Sequence, residues 1–126
     1  IHQSAEDYLE TILMLNQRMG RVRSIDVVNE LGYTKASVSI AMKKLRENGY
    51  IAVDGEGNLT LLEPGREIAE RIYSRHRLLT HFFVQLGVDE EVAAEDACKA
   101  EHILSEQTLE KIREYALLHD AQDSVK

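Results

Sequence analysis

A thiol, a carboxylate and an imidazole stand close together in this chain, at Cys98, Glu101 and His102. The surrounding stretch, roughly 90 to 105, is rich in helix formers and contains neither glycine nor proline, so a helix is expected. Positions i, i+3 and i+4 share one face of a helix, which predicts that the three side chains project together. Such a group suits a divalent transition metal. Asp7 and Glu10, again three residues apart, and His76 are candidates to complete the shell. Each also has an ordinary role. Cys98 alone fits a small buried hydrophobe, Asp7 and Glu10 suit the positive end of a helix, and His76 suits a hydrogen-bonded core position. His2, His81 and His119 lack comparable company and are read as surface or packing residues.

The elements that must hold these groups can be read in chain order. Residues 4 to 18 predict a first helix, with Ser4 as its cap and Tyr8, Leu9, Ile12, Leu13 and Leu15 as its apolar stripe. Ser24 is expected to cap a short helix over 25–31 that turns Ile25, Val28 and Leu31 inward, with Gly32 closing it. Thr34 opens a further helix to about Asn48, in which Val38, Met42 and Leu45 face a core. Its polar, basic side makes the pair a helix-turn-helix. Residues 50–53 and 59–61 are β-prone and flank the turn-rich Asp54-Gly55-Glu56-Gly57-Asn58, so a hairpin wing follows. Pro64 starts a long helix that ends before Gly87. Asp89 caps the helix carrying Cys98, Ser105 begins the last one, and the tail from His119 to Lys126 is expected to fray.

One cysteine excludes an internal disulfide, no stretch approaches the roughly 20 apolar residues of a membrane span, and no signal peptide is evident, so a cytoplasmic protein without membrane partners is expected. The net charge of -7 argues against nucleic acid only as a total. Between residues 18 and 46, seven basic side chains face two acidic ones, a local balance of +5. A duplex responds to that nearby field. Thr34, Lys35, Ala36, Ser37 and Ser39 are expected near a DNA groove, with Lys43, Lys44 and Arg46 reaching phosphates.

The order winged helix-turn-helix, then Ser74-Arg75-His76-Arg77-Leu78-Leu79, Gly87-Val88-Asp89 and Ala97-Cys98-Lys99-Ala100-Glu101-His102-Ile103-Leu104-Ser105, resembles the diphtheria toxin repressor family. The opening Ser4-Ala5-Glu6-Asp7-Tyr8-Leu9-Glu10-Thr11-Ile12 is similar to that family's first helix. The length resembles the shorter manganese-responsive branch, without the SH3-like domain of the iron-responsive one. The resemblance implies a homodimeric, metal-activated transcriptional repressor. It also implies a metal shell of Asp7, Glu10, His76, Cys98, Glu101 and His102. Five of these match the manganese branch, whereas Cys98 matches the iron branch; Thr80 and Ala94 occupy positions where the iron branch carries ligands of a second site, so that second site is not expected here. The mixture of thiolate and hard oxygen donors favours Fe²⁺ narrowly over Mn²⁺, with Co²⁺ or Zn²⁺ binding in vitro.

The expected fold is mainly α: a winged helix-turn-helix DNA-binding domain over 1–62 and a helical dimerisation and metal-binding domain over 63–126. Metal is expected to lock the dimer for a palindromic operator in double-stranded DNA. The rivals are a metal-independent winged-helix regulator and, further off, a metallohydrolase using a metal-activated water.

Overall fold

The computed structural model describes residues 3–125, with side chains from 4 to 121; His2 lies outside them. Six helices and one hairpin follow in order: α1 Gln3–Met19, α2 Ser24–Leu31, α3 Lys35–Glu47, β1 Ile51–Val53, β2 Leu59–Leu61, α4 Glu63–Gln85, α5 Glu90–Ala100 and α6 Glu106–Val125. They form two compact units, Ile1–Arg71 and Ile72–Lys126, with the division inside α4.

In the first unit, α1, α2 and α3 pack on one another, β2 lies on α1, and β1 lies on α3. The apolar stripe of α1 is buried at Leu9, Ile12, Leu13 and Leu15, and that of α3 at Val38, Met42 and Leu45. Each such side chain contributes roughly 1.5–3 kcal/mol relative to exposure. The short α2 departs from its expected phase. Val27 is buried and Ile25 is 43% exposed, because α2 packs against α1 and α3 at once and presents a different edge inward. Its cap also differs. Ser24 is already helical, and the Asp26 carboxylate reaches back to accept the Arg23 backbone N–H at 2.8 Å.

The strands pair antiparallel, Ile51 with Leu61 and Val53 with Leu59. An isolated bridge from Arg23 to Asn58 and a 2.7 Å bond from Leu59 N–H to the Val22 carbonyl tie the hairpin to the approach to α2. Where α4 begins, Gly65 is indispensable. A Cβ there would collide with the Tyr50 carbonyl, the oxygen that also accepts the Leu62 N–H at 3.0 Å.

In the second unit, Leu79 of α4, Ala97 of α5 and Leu109 of α6 form the buried centre, with Leu78, Phe83, Ala100, Leu104 and Ile112 packed around them. Gly87, at φ 104°, closes α4 in a conformation that side chains rarely adopt. The helix expected over 90–105 is interrupted. It ends at Ala100, and Glu101–Ile103 form a turn before Ser105 accepts the Thr108 N–H at 3.2 Å to cap α6. Leu104 enters the core at this bend, which repays the break in the helix. Past His119, where the sequence predicts a frayed tail, α6 is helical to Val125. His119 stacks on Tyr115 with ring centres 6.0 Å apart, and Asp120 lies 3.0 Å from His81 Nε2 and accepts from Gln85 at 2.8 Å. No described helix is long and apolar enough to cross a membrane.

Candidate metal centre and nucleic-acid interface

In the second unit the turn after α5 carries Glu101, 0% exposed, and His102, whose side chain is 4% exposed. The last bond of α5, from Glu101 N–H to the Ala97 carbonyl, fixes the start of that turn. His76, half-buried in the middle of α4, approaches from the neighbouring helix. Its Nδ1 lies 3.8 Å from Glu101 Oε2, and His102 Nε2 lies 3.5 Å from Oε1. A carboxylate sealed from water is costly unless positive charge accompanies it. These separations are longer than a good hydrogen bond, and they fall in the range of roughly 3–4 Å spanned by two ligands bound about 2.1 Å from one ion. The donor set therefore fits a divalent cation.

In the first unit α1 carries Asp7, half-buried, and Glu10, only 5% exposed, one turn apart on one face. Glu10 lies among the buried Leu9, Thr11, Ile12 and Leu13, an unusual setting for an acid. The structure thus gathers His76, Glu101 and His102 in one unit and aligns Asp7 with Glu10 in the other. Cys98 is exposed on α5, next to the buried Ala97. Glu101, three positions after Cys98, is still right-handed helical at the end of α5, and His102 follows in the turn.

The nucleic-acid candidates lie on α3. Thr34 is its N-cap: the hydroxyl accepts the Ser37 N–H at 3.1 Å and donates to Ser37 Oγ at 2.9 Å. Lys35, Ala36, Ser37, Ser39, Lys43, Lys44 and Arg46 are all exposed. Lys43 has Glu47 at 4.0 Å, a contact weak enough to leave its charge available. Ile40, on the side of α3 opposite its buried stripe, is 58% exposed among them. Its out-of-phase position was the signal that sequence reading passed over.

The wing is built around Asp54. One carboxylate oxygen accepts the backbone N–H groups of Glu56 and Asn58, both at 2.9 Å, and the other accepts the Asn58 side-chain amide at 3.0 Å. These bonds, the one from the Asn58 backbone foremost, hold the Asp54 carboxyl below its ordinary range. At the start of α1, Tyr8 meets Tyr33 edge-on, with ring centres 6.0 Å apart. Burial, with a smaller contribution from Tyr33, raises the Tyr8 phenol above its ordinary value.

Comparison with known proteins agrees with this division of labour. The family model "Iron dependent repressor, N-terminal DNA binding domain" matches residues 1–59, and "Iron dependent repressor, metal binding and dimerisation domain" matches 62–118. An uncharacterized HTH-type transcriptional regulator of Methanocaldococcus jannaschii is 36% identical over 113 residues, 88% of this chain and 90% of its own length. The HTH-type transcriptional regulator MntR of Bacillus subtilis is 32% identical over 123 residues, 98% of this chain and 87% of its own. Among solved structures, a manganese-dependent transcriptional repressor in complex with manganese superposes with TM-score 0.81 at 28% identity, covering 89% of this chain. The chain spans about half of that structure, 52%. With family models matching residues 1–59 and 62–118, and relatives matched over most of their length, this chain belongs to the diphtheria toxin repressor family of metal-dependent, DNA-binding transcriptional regulators.

Proposed function

We propose that this chain is a metal-activated repressor controlling metal-ion homeostasis in the cytoplasm, working as a homodimer on a palindromic operator. The observation that carries this reading is the sealed Glu101 carboxylate with an imidazole beside each oxygen. In the proposed shell, His76, Glu101 and His102 come from the second unit and Asp7 and Glu10 from α1. Cys98 joins as a thiolate, losing its proton on binding. A bound Fe²⁺ or Mn²⁺ supplies compensating charge and directional ligand bonds. Residues 1–62 read DNA and 63–126 pair the copies and hold metal. Because α1 packs directly on α3, carboxylates held on α1 set the position of the recognition helix. Successive major-groove faces lie about 34 Å apart, so a fixed spacing of two recognition helices selects a matched pair of half-sites. The gain in DNA affinity is limited by the difference in metal affinity between the fixed and free arrangements.

The test is Glu101→Gln, which keeps shape and removes charge. Calorimetric titration with Mn²⁺, and anaerobically with Fe²⁺, is expected to show metal affinity reduced by at least about 10- to 100-fold, with metal-stimulated operator binding lost in parallel. Undiminished metal binding would exclude Glu101 as a ligand. Cys98→Glu is expected to shift the ranking among Fe²⁺, Mn²⁺, Co²⁺ and Zn²⁺ toward Mn²⁺, and an unchanged ranking removes Cys98 from the shell. Operator binding that is equally strong in chelator would favour the metal-independent regulator.

A further inference from the structure

We propose that Ile40 is a sequence-reading residue of this regulator, packing against the 5-methyl group of a thymine in the major groove. This rests on the DNA-binding role of α3 proposed above.

An exposed isoleucine is by itself unremarked on a protein surface. Its position on α3 is what distinguishes Ile40. The buried stripe of that helix is Val38, Met42 and Leu45. At about 100° per residue, Ile40 stands roughly 200° around from Val38, at the centre of the opposite side. There it is 58% exposed. The residues one turn before it, Ala36 and Ser37, are short, and those one turn after it, Lys43 and Lys44, are long and cationic. The first half of the helix can therefore come close to a groove floor while the lysines extend to flanking phosphates. In that arrangement Ile40 is the most prominent apolar group facing the bases. Its branched Cβ restricts the side chain to few rotamers, so little freedom is lost when it is held against a partner.

Charge decides which partner. The side chains around Ile40 carry Lys43, Lys44 and, further along, Arg46, within a segment whose local balance is +5. An apolar protein surface gains nothing from such a rim, whereas a polyanion does. Among major-groove edges only thymine offers an apolar methyl, and a cytosine there would place its amino donor against a side chain that cannot accept from it. Ile40 thus favours thymine by contact and disfavours cytosine by desolvation. Ser37 adds no comparable preference, since a hydroxyl can donate to or accept from several base edges.

The experiment begins with selection of bound duplexes from a random library by the Mn²⁺-loaded protein. Each thymine of the enriched duplex is then replaced singly by uracil, which deletes only the methyl group. For the unaltered protein, one replacement per half-site is expected to weaken binding about three- to tenfold. The same replacement is expected to have no effect on Ile40→Ala, which should still bind the parent duplex more weakly than the unaltered protein does. Uracil replacement that is silent throughout, or that weakens both proteins equally, overturns the role of Ile40 and leaves the DNA-binding reading intact. Failure to enrich any duplex with metal present overturns both. Because Ile40 is exposed, its truncation leaves the core of the first unit untouched, and a matching thermal transition for the two proteins verifies this.

Discussion

Helices α3 and α6 are built alike on their inner sides and differently on their outer ones. Each buries a stripe at helical spacing, Val38, Met42 and Leu45 in α3, and Leu109 and Ala116 with half-buried Ile112 in α6. Outside, α3 shows hydroxyls, lysines and one isoleucine. The second half of α6 shows Tyr115, Leu117 and Leu118, 54%, 63% and 66% exposed. Charges are handled differently too. On α6, Arg113 meets Glu110 at 2.7 Å and Lys111 meets Glu114 at 3.4 Å, so its cations are neutralised within the helix. On α3, among the described residues, only Lys43 has an acid nearby, Glu47 at 4.0 Å. The same architectural part thus prepares one surface for a polyanion and another for apolar burial. The family model that matches residues 62–118 is described as a metal binding and dimerisation domain, and in the proposed homodimer this apolar face would meet a second copy of the chain.

The largest expected effect comes from charging the apolar face. Leu117→Glu with Leu118→Glu is expected to convert the protein to a monomer in sedimentation velocity. Operator affinity should fall on the order of 100-fold or more, because one half-site then binds without its tethered neighbour. A dimer that survives both substitutions would place the pairing surface elsewhere.

A smaller change is expected from the cationic face. Lys43→Ala and Lys44→Ala should each reduce the slope of log affinity against log salt by about one per monomer, weakening all sequences alike. A slope that stays constant would mean the lysines are only solvated charge, and the contrast with α6 would lose its electrostatic half.

What the sequence made legible follows the same line between local and distant causes. The order of elements, the wing and the inward stripes of α1 and α3 could be read because each is fixed by neighbours within a few residues. Gly87 and Pro64 mark their helix ends for the same reason. The phase of α2 could not, since an eight-residue helix takes its inward edge from the two helices packed against it. The break after Ala100 was hidden as well. Glu101 and His102 are good helix residues by propensity, and only the packing of Leu104 against Leu79 and Leu109 shows why the chain bends there. His81 looked solitary because its partner Asp120, which also accepts from Gln85, lies 39 residues away. At the candidate site, residue types were visible beforehand, while the burial of Glu101 against the exposure of Cys98 was not.

The smallest expected effect lies in the wing, where the Asp54 carboxylate serves mainly its own loop, with the Arg21 charge a lesser influence. Both oxygens of Asp54 are occupied by the Glu56 and Asn58 backbone N–H groups and the Asn58 amide. A group whose carboxyl is held below its unfolded value adds stability that is complete above the unfolded range and is lost as pH falls through the lowered folded value. The loop should therefore stay closed through neutral and mildly acidic pH and open only below the usual carboxylate range. Amide exchange at Glu56 and Asn58 would report this, with faster exchange once Asp54 is protonated. Asp54→Asn keeps one acceptor oxygen and loses the charge, so its exchange should be faster at neutral pH and should no longer change at that acid step. If the loop amides of Asp54→Asn kept the acid-induced step, another group would be responsible. If they exchanged no faster at neutral pH, backbone pairing alone, such as the 3.0 Å bond from Gly57 N–H to the Asp54 carbonyl, would suffice to hold the wing. Operator affinity should barely respond, because this carboxylate shapes the turn and leaves DNA contact to the cations of α3.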